Sequence, residues 1–150
     1  MGSKADLEWS KKIAEASEKL GLTTIMRIAS AHKVPLQCLD LIKEYEKENV
    51  VFITVAGRSN ALSGFSDAQT YCHVIACPPY SDKYSGSDIY SSLRMPSGVA
   101  PMTVTEPDNA ALAAAKIIAL SDDNIRTKII ELQEMNRQKL ITDNNSLIVV

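Results

Sequence analysis

Residues 50–55 read VVFITV and run straight into AGRSN at residues 56–60. A continuous apolar, β-branched run of this length is the pattern of a strand covered on both faces. The polar, glycine-containing turn behind it opens a short helix expected over Ala61–Thr70, and the pair makes one βα unit. Outward from it the pattern repeats. On the C-terminal side, His73–Cys77 (HVIAC) is a second buried strand stopped by Pro78-Pro79, and Val99–Val104 is a short last strand weakened by Pro101. On the N-terminal side, Thr23–Ala29 (TTIMRIA) has strand composition. Helical periodicity fills the intervals. Trp9, Ile13, Ala16 and Leu20 form one stripe over Asp6–Leu20, closed by Gly21. Pro35 opens a helix to about Asn49 with Leu36, Leu39, Ile42 and Tyr45 on one side. A helix is expected near Asp88–Arg94. Asn109–Leu120 (NAALAAAKIIAL) has so little polar surface that it packs nearly all round, and Asp122 to about Ile141 is charged and amphipathic. Strands alternating with helices along a whole chain predict an α/β fold around a parallel sheet.

One strand is wanting. Such sheets place a buried strand before the first helix, yet Met1-Gly2-Ser3 enters that helix almost directly. The unassigned apolar segment is Leu147-Ile148-Val149-Val150, and head to tail the termini read SLIVV-MGSKAD. The expectation is a circularly permuted order, with LIVV as the strand preceding Met1 and the termini close together. An apolar tail packed on the last helix, or on a neighbouring subunit, is the alternative.

Composition bounds the class. With 150 residues, 45% hydrophobic and 23% charged, residues 1–150 form one globular domain. A net charge of -2 without a basic run excludes nucleic acid and anionic membrane as main partners. The three cysteines fit no metal-ligand spacing and read as reduced thiols. No stretch is apolar enough to span a membrane and no leader opens the chain, so a cytoplasmic location is expected.

Ligands of open α/β sheets bind beyond the carboxyl ends of the strands. Three turns stand there. Gly2-Ser3-Lys4-Ala5-Asp6 starts the first helix, where Ser or Asp also serves simply as a cap. Ser30-Ala31-His32-Lys33 sets a hydroxyl, an imidazole and an ammonium before a helix N-terminus, which suits phosphate as well as a capped helix with a solvated lysine. Ala56-Gly57-Arg58-Ser59-Asn60 is polar directly after the most apolar strand, which packing alone does not explain.

Together the motifs G-S-x-x-D, S-A-H-K, A-G-R-S-N-A-L-S-G, A-C-P-P and D-I-Y-S-S-L-R-M-P-S-G, which run in order from Met1 to about Leu120, resemble the class II aminoimidazole ribonucleotide carboxylases of purine biosynthesis. The resemblance implies a three-layer sandwich with a flavodoxin-like parallel sheet, a homo-octamer with active sites between subunits, and a strand before G-S-x-x-D. It implies carboxylation of 5-aminoimidazole ribonucleotide by carbon dioxide, without ATP, biotin or metal and with no other cofactor. The substrate's enamine-like ring carbon is itself the nucleophile, so the protein needs to hold carbon dioxide, stabilise a carboxylate and handle one proton. By the resemblance, Ser30 and Lys33 hold the phosphate, Ser3 and Asp6 the ribose side, and Gly57, Arg58 and Ser59 the base and carboxylate end, with Arg58 able to fork onto the carboxylate. His32, with Lys33 beside it, is the expected catalytic pair, His32 handling the proton or ordering the site. His73, in no motif, reads as structural. Arg94 and Ser97 either close the pocket or shape a turn.

The sister class I enzymes, which move a carboxyl group from the exocyclic nitrogen to the ring carbon, carry S-A-H-R and A-G-G-A-A-H-L-P-G. Their catalytic histidine falls on Ala61, and alanine moves no proton. Within class II, Ala5 stands where the family usually has serine. The alternatives are the class I mutase reaction and a catalytically silent nucleotide-binding or assembly domain.

Overall fold

The computed structural model describes residues 1–147. Three strands, β1 (Phe52–Thr54), β2 (Val74–Ala76) and β3 (Met102–Thr103), make a parallel sheet in the order β1-β2-β3. The register pairs Ile53 with Ile75 and Ala76 with Thr103. Backbone bonds carry the ladder past the strand ends, from Phe52 N–H to His73 O, Cys77 N–H to Thr54 O and Val104 N–H to Ala76 O. Pro101 sits just before β3, where its missing N–H costs no ladder bond.

Alternation along VVFITV builds the layers. Val51, Ile53 and Val55 face a cluster with Ile13 of α1 (Leu7–Lys19) and Ala110 and Ala114 of α5 (Pro107–Ile118). Phe52 and Ala56 face the other side, packing with Cys38 and Ile42 of α2 (Pro35–Tyr45) and Leu62 of α3 (Leu62–Asp67). The architecture is thus the expected three-layer α/β sandwich. A short α4 (Tyr90–Leu93) precedes β3, and α6 (Asp123–Ser146) closes the described chain. In α5, Ala110, Ala111 and Ala115 have no exposed surface, because the helix packs against both α1 and α6. Alanine lets those axes approach.

Boundaries shift in three places. The helix from Pro35 stops at Tyr45, and its buried stripe is Cys38 and Ile42, while Leu36 faces solvent. The last helix continues to Ser146, beyond Ile141, yet only Ile125 and Ile129 are buried on it. The third shift is the largest. Thr23–Ala29 is extended as its composition demands but forms no strand. A cleft of about 840 Å³ separates it from β1, lined by Ile25, Arg27, Val51, Ile53 and Ala114 among others. A strand is defined by its ladder, and among the described residues only Met1 supplies one: its N–H donates to Arg27 O at 2.9 Å and its C=O accepts from Ala29 N–H at 3.0 Å. That is parallel pairing centred on Ile28. Gly2 N–H then reaches Val55 O at 2.9 Å, so Met1-Gly2 bridges the head of the cleft. Burial there lowers the Met1 ammonium below the ordinary α-amine range, against the attraction of Asp6. Leu147 follows the last turn of α6 and is exposed. The remainder of the LIVV segment expected to precede Met1 as a strand, Ile148, Val149 and Val150, lies outside the described residues.

Two predictions follow from this packing. Ala110→Leu forces about three further side-chain carbons into a filled interface and should destabilise the fold by about 1–3 kcal/mol, read by urea unfolding. Cys72 is partly exposed whereas Cys38 and Cys77 are buried, and burial pushes the Cys77 thiol up to about 11. Iodoacetamide at pH 8 should therefore modify Cys72 in the native protein and the other two only on unfolding, as peptide mass mapping will show.

Candidate active site

Parallel strands bring their carboxyl ends to one edge, and the three polar turns emerge there. Their backbones touch. Gly2 is bonded to Val55, the residue before Ala56, and Met1 is bonded to Ala29, the residue before Ser30. The bridge across the cleft thus joins all three turns.

In the first turn, Ser3 and Asp6 satisfy one another. The Ser3 hydroxyl donates to Asp6 Oδ2 at 3.0 Å and accepts from Ala5 N–H at 3.2 Å, while Ser3 N–H donates to the same carboxylate oxygen at 3.0 Å. This is a capping box, so packing and capping account for both residues, and a ligand has to compete with these bonds. In the second turn, Ser30 Oγ accepts from Lys33 N–H at 3.3 Å, and Ser30 O accepts from Val34 N–H at 2.9 Å. His32 and Lys33 are exposed, and among the described residues Lys33 makes no ion pair. No side chain caps α2, which begins with Pro35. Free amide donors at its first turn, a hydroxyl and an unpaired ammonium form an arrangement that suits a dianionic phosphate.

The third turn holds the least relaxed backbone of the three. Arg58 has φ +59°, a left-handed conformation that costs a non-glycine residue roughly 1–2 kcal/mol. Its N–H donates to Asp88 Oδ2 at 3.3 Å, and its guanidinium has no carboxylate partner among the described residues. Asn60 is buried, donating to Ser92 Oγ at 2.9 Å and accepting from Ser63 N–H at 3.3 Å. Gly57 and Arg58 line a cavity of about 290 Å³, floored by Pro78 and Pro79 and reached by Asp88 and Glu106. The cavity is small and half enclosed, with one free cation on its wall. It fits a planar ring or a carboxylate better than a whole nucleotide.

Of the expected residues, the structure therefore brings Gly57 and Arg58 to a cavity. Ser3, Asp6, Ser30, His32, Lys33 and Ser59 stand on the joined turns outside its lining. Asp88, Ser91 and Ser92 are the functional neighbours that residue-by-residue reading missed, although D-I-Y-S-S was already visible as a motif. Arg94 and Ser97 do not line the cavity. The RMPSG segment instead buttresses α3. Met95 Sδ stands 3.0 Å from where a side chain on Gly64 would begin, and Ala100 N–H donates to Asp67 Oδ2 at 2.7 Å. His73 is exposed at the amino end of β2, away from this edge, and its carbonyl takes part in the ladder. Cys77, at the edge but buried, stays a neutral thiol near pH 7 because burial raises it to about 11. Ala61 occupies the N-cap of α3 without a capping side chain.

Known proteins share this arrangement. A phosphoribosylaminoimidazole carboxylase of Archaeoglobus fulgidus is 60% identical over 147 residues, covering 98% of this chain and 82% of that protein. One of Treponema denticola is 48% identical over 149 residues, covering 98% and 94%. The crystal structure of Treponema denticola PurE matches with a TM-score of 0.95 at 47% identity, over 99% of this chain and 95% of that one. The family model described as AIR carboxylase spans residues 1–139, taking in all three turns and the cavity between β1 and β2, and the chain belongs to that family.

Proposed function

We propose that this chain carboxylates 5-aminoimidazole ribonucleotide in purine biosynthesis, and that carbon dioxide is the direct source of the new carboxyl group. The activity follows from the family and from relatives named for it. The choice of carbon dioxide rests on one observation: the turn after β1 puts Arg58 on the cavity wall and Ala61, not an imidazole, at the start of the following helix. An enzyme that relocates a carboxyl group through a proton shuttle at that place needs a group that titrates, and alanine has none.

The chemistry asks little covalent work of the protein. The exocyclic amine pushes electron density to the ring carbon, which attacks carbon dioxide. One carbon–carbon bond forms, negative charge gathers on the new carboxylate, and the ring carbon loses its proton to restore aromaticity. Arg58 supplies a forked cation for that developing charge. Ser30, Lys33 and the free amides of α2 hold the phosphate, and Ser3 and Asp6 face the ribose. Gly57 and Ser59 frame the base, and His32 takes or orders the proton. The reaction as drawn requires no ATP, biotin or metal.

Assembly of several copies fits the surface. Tyr80, which lines the cavity, is exposed, as are Tyr84 and Tyr90, and Met135, Leu140 and Ile141 are exposed on α6. The part of α6 beyond Leu132 has no buried residue, although the whole helix is about 36 Å long. Aromatic and aliphatic surface of this extent suits a neighbouring subunit. We place the enzyme in the cytoplasm as a homo-octamer with sites near subunit boundaries.

An ATP-free turnover assay tests the reaction. Product is expected from aminoimidazole ribonucleotide with carbon dioxide, and none from the N-carboxylated isomer alone; product from the isomer would reinstate the mutase. Lys33→Ala should raise KM about tenfold with kcat held, as for one lost charge-assisted bond. His32→Asn should mainly lower kcat. Arg58→Ala should lower kcat/KM by roughly 10–100-fold. Light scattering on the purified chain should give the mass of eight copies, and a stable monomer with full activity would refute sites built between subunits.

A further inference from the structure

The turn that carries Arg58 is not held by its own sequence. Its one local backbone bond runs from Ala61 N–H to Ser59 O at 3.1 Å. Asn60 Oδ1 also accepts locally from Ser63 N–H at 3.3 Å, and the other polar partners come from residues some thirty positions away. Ser91 Oγ lies 2.9 Å from Arg58 O and 2.7 Å from Asp88 O, donating its single proton to one or the other, and it accepts from Asn60 N–H at 2.9 Å. Asp88 Oδ2 accepts from Arg58 N–H at 3.3 Å. With that proton on Arg58 O, both backbone groups of the left-handed residue are met by side chains of one short segment. Below them, Asn60 Nδ2 donates to Ser92 Oγ at 2.9 Å. Thr103 Oγ1 of β3 donates to Ser92 O at 3.0 Å, which ties that segment to the sheet. Ser91 is not part of the cavity lining.

We infer that Ser91, seconded by Asp88, is a positioning residue: it holds residues 58–60 in the left-handed turn and so sets the direction in which the Arg58 guanidinium enters the cavity. Without the clamp, Arg58 relaxes to φ below zero, which any non-glycine residue prefers. The peptide plane then turns, and the guanidinium leaves the wall. Asp88 acts through an acceptor oxygen rather than through its charge. The inference rests on the reading of Arg58 as the residue that meets the carboxylate.

A double-mutant cycle with amide hydrogen exchange tests it in the assembled enzyme. Ser91→Ala should lower kcat/KM for the ribonucleotide about tenfold, the loss expected when one positioning bond goes. Ser91→Thr, which keeps the hydroxyl, should restore it to within about twofold, and so should Asp88→Asn, which keeps an acceptor where Asp88→Ala does not. In an Arg58→Ala background, Ser91→Ala should change kcat/KM by less than about twofold, since the group it aims is gone. Exchange at the Asn60 amide should speed up in Ser91→Ala in either background. An equal tenfold fall with and without Arg58 makes Ser91 merely structural and overturns the proposal. Unchanged exchange at Asn60 overturns it as well. If Arg58→Ala leaves kcat/KM intact, the functional reading of Arg58 fails, and Asn60 exchange alone decides whether the clamp exists. Should Ser91→Ala not fold, Asp88→Ala takes its place in the same cycle.

Discussion

Ile75 has no exposed surface, and the strand around it is hydrogen-bonded on both edges and covered on both faces. The remainder of the architecture follows from satisfying that strand. Its backbone groups leave water only if β1 and β3 take them up, and parallel pairing requires helical crossovers, which become the two outer layers. Alternate residues of β1 then serve α1 and α5 on one side and α2 and α3 on the other. The same pairing aligns the carboxyl ends of the strands, so the polar turns have no other place to emerge.

The site is built where this apolar logic stops, and it uses polar groups in two ways. Ser3 with Asp6, and Asn60 with Ser63 and Ser92, close on themselves and act as frame. Lys33 and Arg58 make no ion pair among the described residues and so retain their charge for a ligand. A cation already paired with a carboxylate would have to give up that bond before meeting a phosphate or carboxylate, and the exchange would return little. The division between frame and proposed function is therefore electrostatic: the groups proposed to bind are cations without an ion pair among the described residues.

Much of this was legible from residue order. VVFITV announced a doubly covered strand because six apolar residues in a row admit few other fates in a chain of this composition, and HVIAC did likewise. The turns behind them were legible because polar runs interrupt apolar ones only where water or ligand meets them. TTIMRIA was read as a strand and is only extended, because composition specifies conformation whereas pairing depends on what lies alongside, and alongside it is a cleft. Periodicity puts Leu36, Leu39, Ile42 and Tyr45 on one side of α2; Ile42 is buried there, with Cys38 beside it, while Leu36 is exposed, since the face that packs is chosen by the sheet and not by hydrophobicity alone. The Ser91 clamp was beyond reach of pattern: serine at the start of a short helix is common, and nothing in residue order says that its hydroxyl meets a carbonyl thirty-three positions away.

The cleft bears on the site more than on the core. The Ser30–Lys33 turn lies at the end of Thr23–Ala29, and the Arg58 turn lies at the end of β1, so their separation is set by what spans the ground between. Among the described residues that span is Met1-Gly2, with two bonds to the Arg27–Ala29 side and one to Val55. Below it, Ile25 and Ile28 remain substantially exposed, and among the described residues the segment's ladder bonds are those to Met1. An enzyme that has to hold a phosphate at one turn and a reacting ring at the next needs those turns fixed to a fraction of an ångström. Here three backbone bonds at the head of the cleft carry that requirement. One of them is made by an ammonium whose burial works against its charge. Packing and the Ser91 bonds hold the turn at the end of β1, while among the described residues the Ser30–Lys33 turn is tied to it through the bridge. Any change that loosens Met1-Gly2 therefore acts first on the distance between those two turns, and reaches the stability of the core only later.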